Sequence, residues 1–417
     1  MNFLITNMTG YRNKGHEAGT KALINGIVKL KSDARFDILT EDRDYDALYA
    51  SENERVSFLS NPFRLYSTLG KLSFLPNPWY YRLINRLRVS SDITRKCVEA
   101  FQRSDAVLSS DDIFSSTYGR LREELAQLKA AACFRKPTVL VSHSVGPFKT
   151  RGEQQAFAKA MTHVQLITAR ESISLEYLEN MRLKNTRVEL TADPAFCLEP
   201  DIEEIEKLYS TYNIPREKAL IGIAPSQAIT HFAQTSYENH FNALRQLILF
   251  LTQNLDCHVM LIPHVQERNA EDDDRIICDL LYRKTGSPEE VTVVGLTHSA
   301  EEIVAIVSRL DVMIAERMHA AIAGLSQNVP TFVIGYSIKA EGILGDILGF
   351  DSLKDYLLPV KKLDNARLKE RIKNLYDRRK ETATFLSKKM PSFKEKARRN
   401  FTLIMSLLEQ QQKQESP

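Results

Sequence analysis

The stretch from Asp311 to Gly342, DVMIAERMHAAIAGLSQNVPTFVIGYSIKAEG, decides the fold that we predict for this chain. An apolar run is followed by polar residues, an alanine-rich helical segment and, after Asn-Val-Pro, a second apolar run. That order is typical of a βαβ unit with two parallel strands. The polar side chains between strand and helix then lie at the edge of the sheet where α/β proteins bind ligands.

The same alternation of short apolar runs and longer helical segments extends along most of the chain. Apolar runs typical of strands lie at 2–6, 36–40, 106–108, 138–141, 165–168 and 187–191, and again at 220–224, 258–262, 291–294, 312–315 and 331–334. The acidic and then polar residues between 199 and 218 separate the two series. We therefore predict an α/β protein with two doubly wound, Rossmann-like domains and an interdomain active-site cleft.

The expected domain bounds follow from these patterns. Residues 1–200 form an N-terminal domain and residues 218–363 a C-terminal domain. Residues 364–417 form C-terminal helices and a polar tail, which return to brace the first domain. Residues 41–100 fit the alternation poorly and are rich in aromatic and basic side chains, so we interpret them as an insertion.

Composition excludes several classes of protein. The 417 residues carry 56 basic and 53 acidic side chains, so no strong overall charge favours nucleic-acid binding. Five cysteines without a CxxC pair argue against a zinc finger or a disulfide framework and favour a reducing compartment. No apolar run approaches the roughly 18 residues of a membrane span, and the first residues lack the basic start of a signal peptide. We therefore expect a cytoplasmic protein.

Two cations follow the apolar strand of the opening stretch. Arg317 and His319 lie where a strand ends and a helix begins, and free backbone N–H groups with the helix dipole favour an anion there. A phosphate or carboxylate ligand is one interpretation. The alternative is structural: Arg317 pairs with Asp311 or Glu316, and His319 only packs.

Other candidate residues also follow predicted strands. Arg170 comes directly after one strand and either binds an anion or forms a solvated helix cap with Glu171. His143 leaves another strand just before a Gly-Pro turn, and His264 follows a strand of the second half as either a ligand-pocket residue or an ordinary loop histidine. The loop 13–18 opens a helix after the first strand but lacks both GxGxxG and GxxxxGK[ST], so no dinucleotide or P-loop site is predicted.

In order and spacing, these motifs together resemble the polysaccharide pyruvyl transferase family over residues 5–345. The matching elements are N-x-G-x-E-A at 13–18, VGP at 145–147, ARES at 169–172, DPAF at 193–196, IPH at 262–264, and RMH with the VPTFVIGY strand at 317–336. The chain departs from the family pattern at Ser109-Ser110-Asp111-Asp112, where a glycine-rich turn is usual, and at His16, where an acidic residue is usual.

The resemblance implies a fold, a reaction and roles for residues. The fold is the two-domain glycosyltransferase-B type, with an acceptor side in the first domain and a donor side in the second. The reaction moves the pyruvyl group of phosphoenolpyruvate onto sugar hydroxyls of a cell-surface or exopolysaccharide glycan as a ketal, with no metal and no cofactor. Arg170, Arg317, His319 and His264 would bind the donor; His319, His143 and Asp111 are the catalytic candidates, and Asp112 is a further candidate base.

The resemblance also implies binding partners, and two alternative functions remain open. The partners are phosphoenolpyruvate and a glycan or lipid-linked oligosaccharide, with no nucleic acid. Phe63 to Arg88 is interpreted either as a helical excursion packed on its domain or as a surface that meets the acceptor at the inner face of the membrane. The alternative functions are a nucleotide-sugar-dependent glycosyltransferase of the same fold and a non-catalytic family member that binds glycan.

Overall fold

The computed structural model describes residues 1–48, 54–63, 92–110, 113–116, 120–201 and 203–415. The chain divides into two compact units. The first unit comprises Met1–Tyr11, Gly19–Pro194 and Lys396–Pro417, and the second comprises Arg12–Ala18 and Ala195–Glu395. Among the described residues, no helix is long and apolar enough to span a bilayer.

The first unit is built on a parallel sheet, which has eight strands among the described residues. Its strands are β1 (Asn2–Thr6), β2 (Arg35–Thr40), β3 (Val56–Ser60), β4 (Ala106–Ser109), β5 (Ile113–Phe114), β6 (Thr138–Val145), β7 (Leu166–Ala169) and β8 (Arg187–Leu190). The order is β3-β2-β1-β4-β6-β7-β8, and β5 pairs with β6. The central strands β1, β4 and β7 are mostly apolar and buried because helices cover a parallel sheet on both faces.

Helices connect the strands of the first unit. They are α1 (Lys14–Leu30), α2 (Arg43–Ala47), α3 (Asp92–Arg103), α4 (Leu121–Cys133), α5 (Arg151–Met161) and α6 (Ser172–Met181). A capping box of Thr150 and Glu153 starts α5, and the side chain of Glu171 caps α6 by accepting the Ser174 N–H. Two buried clusters, one around Phe157 and one around Phe101, form the core beside the sheet.

The second unit repeats the architecture with six parallel strands in its described part, in the order β11-β10-β9-β12-β13-β14. These are β9 (Leu220–Ala224), β10 (His258–Leu261), β11 (Val291–Val293), β12 (Val312–Ala315), β13 (Thr331–Gly335) and β14 (Leu357–Pro359). Its helices are α7 (Ile205–Thr211), α8 (Ile229–Ala233), α9 (Tyr237–Asn254), α10 (Asp274–Lys284), α11 (Ala300–Val307), α12 (Met318–Ser326), α13 (Ile338–Leu348), α14 (Leu353–Tyr356) and α15 (Asn365–Asp377). Short 3-10 turns lie at Pro194–Cys197, Phe350–Ser352 and Val360–Lys362. The prediction of two doubly wound α/β domains is therefore confirmed.

The C-terminal segment is divided between the units. Helix α15 contributes Leu368 and Ile372 to the core of the second unit. The long helix α16 (Arg379–Glu415) belongs to the second unit up to Glu395 and to the first from Lys396 onward. In the first unit, Asn400 donates to the carbonyl of Ala192 at 2.8 Å. The segment 364–417, predicted to be separate, thus contributes residues to both units.

The interpretation of residues 41–100 as an insertion is wrong for its described parts. Strand β3 pairs in parallel with β2 and buries Phe58, so it is the edge of the first sheet. Helix α3 buries Cys97 and Phe101 in a core cluster of the same unit. The rest of the proposed acceptor and membrane surface, from Arg64 to Arg88, lies outside the described residues.

Candidate functional site

The carboxyl edge of the second sheet collects polar side chains from three neighbouring strands. Ser226 and Gln227 follow β9, His264 follows β10, and Glu316 and Arg317 follow β12. Strand β9 pairs with both β10 and β12, so the strand order reverses between β9 and β12. These residues therefore lie at the topological switch point, where open α/β sheets bind ligands.

Arg317 is fixed by a buried carboxylate. It is the N-cap residue of α12, and its Nε and Nη2 donate to the two oxygens of Asp274 at 3.0 and 2.7 Å. Asp274 is fully buried and also accepts the N–H groups of Gln227 and Val265, each at 3.0 Å. Burial lowers the pKa of Arg317, but the ion pair outweighs that effect and holds the pKa above its ordinary value. Arg317 is therefore charged and held in one orientation.

The partners predicted for Arg317 in the structural alternative are wrong. Asp311 accepts the backbone N–H of Leu220 at 2.9 Å. The Glu316 carboxylate bonds His240 Nε2 and accepts the Ser226 N–H, both at 2.7 Å. Because the pair with Asp274 uses Nε and Nη2, the Nη1 edge of the guanidinium is the part that a ligand can meet.

His319 lies against the first turn of α1. It is in the first turn of α12, and its ring covers Gly15 so closely that a Cβ built on Gly15 would lie 2.1 Å from the ring Nδ1. The ring of His16 meets that of His319 edge-on, with centroids 6.1 Å apart. The glycine of the N-x-G-x-E-A motif thus leaves the space in which the imidazole sits.

His264 is a buried histidine whose ring has no bonding partner. It is 3% exposed, and neither Nδ1 nor Nε2 makes a hydrogen bond. Burial lowers its pKa well below the ordinary value, and the charges of His319, Arg317 and Lys14 act in the same direction. A neutral ring offers one donor and one acceptor. An unbonded buried ring at a strand end favours a ligand-binding role over an ordinary loop histidine.

A small cavity joins three of these polar side chains. Lys14, His264 and His319 line it together with apolar residues of the second unit. Those apolar residues are Ala18, Ala195, Ala300, Ile303, Val304, Ile322 and Ala323.

Among the described residues, no group of three or more His, Cys, Asp or Glu side chains is arranged to hold a metal ion.

The burial of His264 predicts a pH dependence of stability. Its folded pKa lies below the unfolded value of 6.5, so the unfolded chain binds the proton first as the pH falls. We expect the free energy of unfolding to decrease below about pH 6.5, by at most about 1.4 kcal/mol per pH unit from this group. Urea unfolding at a series of pH values between 7 and 5 measures that slope. His264→Gln should reduce it, and an unchanged slope would contradict the assignment.

Residues Arg12–Ala18, which include the first turn of α1, belong to the second unit, and this differs from the predicted boundary. Lys14 donates its backbone N–H to the His264 carbonyl at 3.0 Å, and Gln266 donates to the Arg12 carbonyl at 2.9 Å. Asn13 and Val265 form an antiparallel bridge. Sequence periodicity follows local order along the chain, so it cannot place a short loop against a strand 250 residues further on.

The candidate base His143 is enclosed in the first unit. Strand β6 continues to Val145 because β5 pairs with Ser144 and Val145, so His143 lies within the strand and not in a loop after it. The ring is fully buried, stacks on Phe114 at 4.9 Å and lies 3.3 Å from the Ser109 hydroxyl. Its catalytic role stays a prediction. Asp111 and Asp112 lie outside the described residues.

Arg170 is also enclosed in the first unit. Its Nε donates to Ser144 at 2.8 Å and its Nη1 to Asp193 at 3.0 Å, and the residue is 1% exposed. Glu171 does cap α6, as one interpretation predicted, but the cap is not solvated, since Arg170 and Glu171 are both buried. Arg317, His319 and His264 are brought together in the second unit, whereas donor binding by Arg170 stays a prediction.

Comparison with known proteins identifies the family. The model of the family described as polysaccharide pyruvyl transferase matches residues 13–338, which include the N-terminal loop and every residue of the site described above. The chain belongs to this family. A curated relative, the amylovoran biosynthesis protein AmsJ of Erwinia amylovora, is 23% identical over 254 residues, covering 59% of this chain and 60% of that protein. The chain thus spans about three fifths of the length of this relative.

Solved structures share the fold across nearly the whole chain. UDP-GlcNAc 2-epimerase from Neisseria meningitidis superposes with a TM-score of 0.60 at 11% identity, covering 98% of this chain and all of the other. HepE from Anabaena, solved with UDP-glucose, gives a TM-score of 0.60 at 11% identity, covering 97% and 99% of the two chains. The predicted glycosyltransferase-B-like fold is confirmed. At this identity the likeness establishes the fold alone.

Proposed function

We propose that this member of the polysaccharide pyruvyl transferase family transfers the pyruvyl group of phosphoenolpyruvate to two hydroxyls of one sugar in a glycan. The observation that supports it most directly is the group formed by Arg317, His319 and His264 at the carboxyl edge of the second sheet, within the residues that match the family. Arg317 is already oriented by Asp274, so its binding edge needs no rearrangement.

Pyruvyl transfer requires cations that bind the anionic groups of phosphoenolpyruvate, and it requires a group that donates a proton. A proton adds to C3 of the enol, two sugar oxygens bond to C2, and the bond between C2 and the phosphate oxygen breaks. The two hydroxyl protons balance the one gained at C3 and the one taken by the departing phosphate. Arg317 would hold an anionic group of the donor through Nη1, and His319 would bind the phosphate or act as the general acid near neutral pH. His264 would donate to or accept from the donor as a neutral ring.

The acceptor side of the proposal rests on the first unit. His143, Asp111 and Asp112 remain the candidate bases, and Arg170 the additional cation for the donor. A glycan or lipid-linked oligosaccharide is the proposed acceptor, and the basic and aromatic segment up to Arg88 is the proposed membrane-facing surface. No cofactor and no metal are part of the scheme.

Donor specificity tests the proposal. We expect acceptor-dependent release of inorganic phosphate from phosphoenolpyruvate, together with a pyruvyl ketal on the glycan detected by mass spectrometry. UDP-sugars offered in the same reactions serve as the competing donor. Release of UDP without release of phosphate would replace the proposal with a glycosyltransferase. Acceptor binding without turnover of either donor would indicate a non-catalytic member.

A further inference from the structure

We propose that Lys14 is a donor-binding residue that contacts an anionic oxygen of phosphoenolpyruvate, and that Glu17 positions its ammonium group. The inference rests on the proposed function for the identity of the donor, while the anion site itself is argued from the second unit alone. Neither residue has been given a role so far, although the N-x-G-x-E-A motif contains both.

The start of α1, which carries Lys14, is hydrogen-bonded to the segment after β10 that carries His264. Two main-chain hydrogen bonds, which make up the antiparallel bridge of Asn13 and Val265, hold residues 12–14 to residues 264–266. The backbone N–H of Lys14 donates to the carbonyl of His264, so the main chains that carry these two side chains are in direct contact. This brings a lysine from the beginning of the chain to the carboxyl edge of the second sheet.

The Lys14 side chain forms a fully enclosed ion pair. Its Nζ lies 2.9 Å from Glu17 Oε2, with the two side chains 1% and 0% exposed. The other carboxylate oxygen of Glu17 accepts the backbone N–H of Ala300, the first residue of α11, at 3.1 Å. A carboxylate at a helix N-terminus is favoured by the helix dipole. Glu17 is therefore held from two sides, and it fixes the position of the lysine.

Two features indicate that this pair serves a ligand. A buried ion pair is seldom needed for stability, since removing both charges from water costs about as much as their attraction returns. Lys14 also lines the cavity that His264 lines with a ring that makes no hydrogen bond. That histidine is neutral and contributes no positive charge, so Lys14 is the cation that this wall of the cavity offers to an anion.

Formal charge explains why the donor needs this lysine. Phosphoenolpyruvate carries a carboxylate and a phosphate, and this part of the second unit offers two cations, Arg317 held by Asp274 and Lys14 held by Glu17. Two cations near His264 can each bind one of the two anionic groups of the donor. An amide at position 17 keeps one acceptor oxygen for Lys14 and removes a negative charge near the ligand, so anion binding should stay as tight or become tighter.

The experiment compares Glu17→Gln, Lys14→Met/Glu17→Gln and Lys218→Met with the unaltered chain. The probes are inorganic phosphate, pyruvate and phosphoenolpyruvate, measured by calorimetry. Lys218 lies just before β9, at the opposite edge of the same sheet, and its replacement controls for the loss of a lysine side chain away from the site. The double variant avoids leaving a buried carboxylate unpaired, and circular dichroism confirms that each variant is folded.

We expect the double variant to bind phosphoenolpyruvate and one of the two small anions roughly ten- to a hundredfold more weakly. Glu17→Gln should bind them as tightly as the unaltered chain or more tightly, and Lys218→Met should be unchanged. A purely structural pair predicts equal losses in both Glu17 variants, and that result, or unchanged affinity in the double variant, overturns the inference. If anion binding depends on Lys14 but the unaltered chain does not turn over phosphoenolpyruvate, the proposed function is wrong and the inference about Lys14 stands.

Discussion

Replacing Arg317 by methionine is expected to lower the free energy of unfolding by about 3–5 kcal/mol and to abolish most of the turnover. The loss of stability arises because Asp274 is fully buried and would keep only its two backbone donors. The loss of turnover arises because the donor loses a charge-assisted contact, worth roughly ten- to a hundredfold in rate. Urea unfolding and steady-state phosphate release measure the two effects separately.

A second substitution separates these two effects. Arg317→Met/Asp274→Asn removes the unpaired carboxylate, so it should recover most of the stability while turnover stays low. Arg275→Met is a matched control, since its pair with Asp273 leaves Arg275 41% exposed and should cost no more than about 1 kcal/mol. If the double variant regains normal turnover, Arg317 acts on the fold alone and does not bind the donor.

Gly15→Ala is expected to reduce turnover by about a hundredfold or more, although alanine favours a helix over glycine by up to about 1 kcal/mol. The new Cβ would lie 2.1 Å from His319 Nδ1, so the imidazole must leave its position. Gly19→Ala is the control in the same helix, because the nearest atom to its Cβ is 3.9 Å away. Turnover and thermal unfolding of both variants provide the measurement.

A double-mutant cycle links the Gly15 effect to the histidine. His319→Ala alone should be as inactive as Gly15→Ala, and adding Gly15→Ala to it should cost nothing further, since the clash is gone. Additive losses would show that Gly15 matters for another reason, such as the conformation of the N-terminal loop. Near-normal turnover in Gly15→Ala would show that His319 can move without consequence for the reaction.

Local pattern by itself determined the fold class and half of the site. Strands β1, β9 and β12 have the bounds that their apolar runs predict, because a strand covered on both faces must be apolar throughout. Arg317 and His319 are where the strand-to-helix transition places them, at the start of α12. Those positions depend only on neighbours in the sequence, so a single amino-acid sequence was enough to predict them.

Tertiary structure alone decided the partners of the charges. Arg317 bonds Asp274, 43 positions away, and the structural alternative had paired it with nearby Asp311 or Glu316. Lys14 belongs to the second unit, although the sequence pattern assigned its segment to the first domain. His143 lies within a strand because the neighbouring residues Ser144 and Val145 pair with β5. Hydrophobic periodicity reports which face of an element is buried, but the identity of a buried charge's partner depends on where distant strand ends meet.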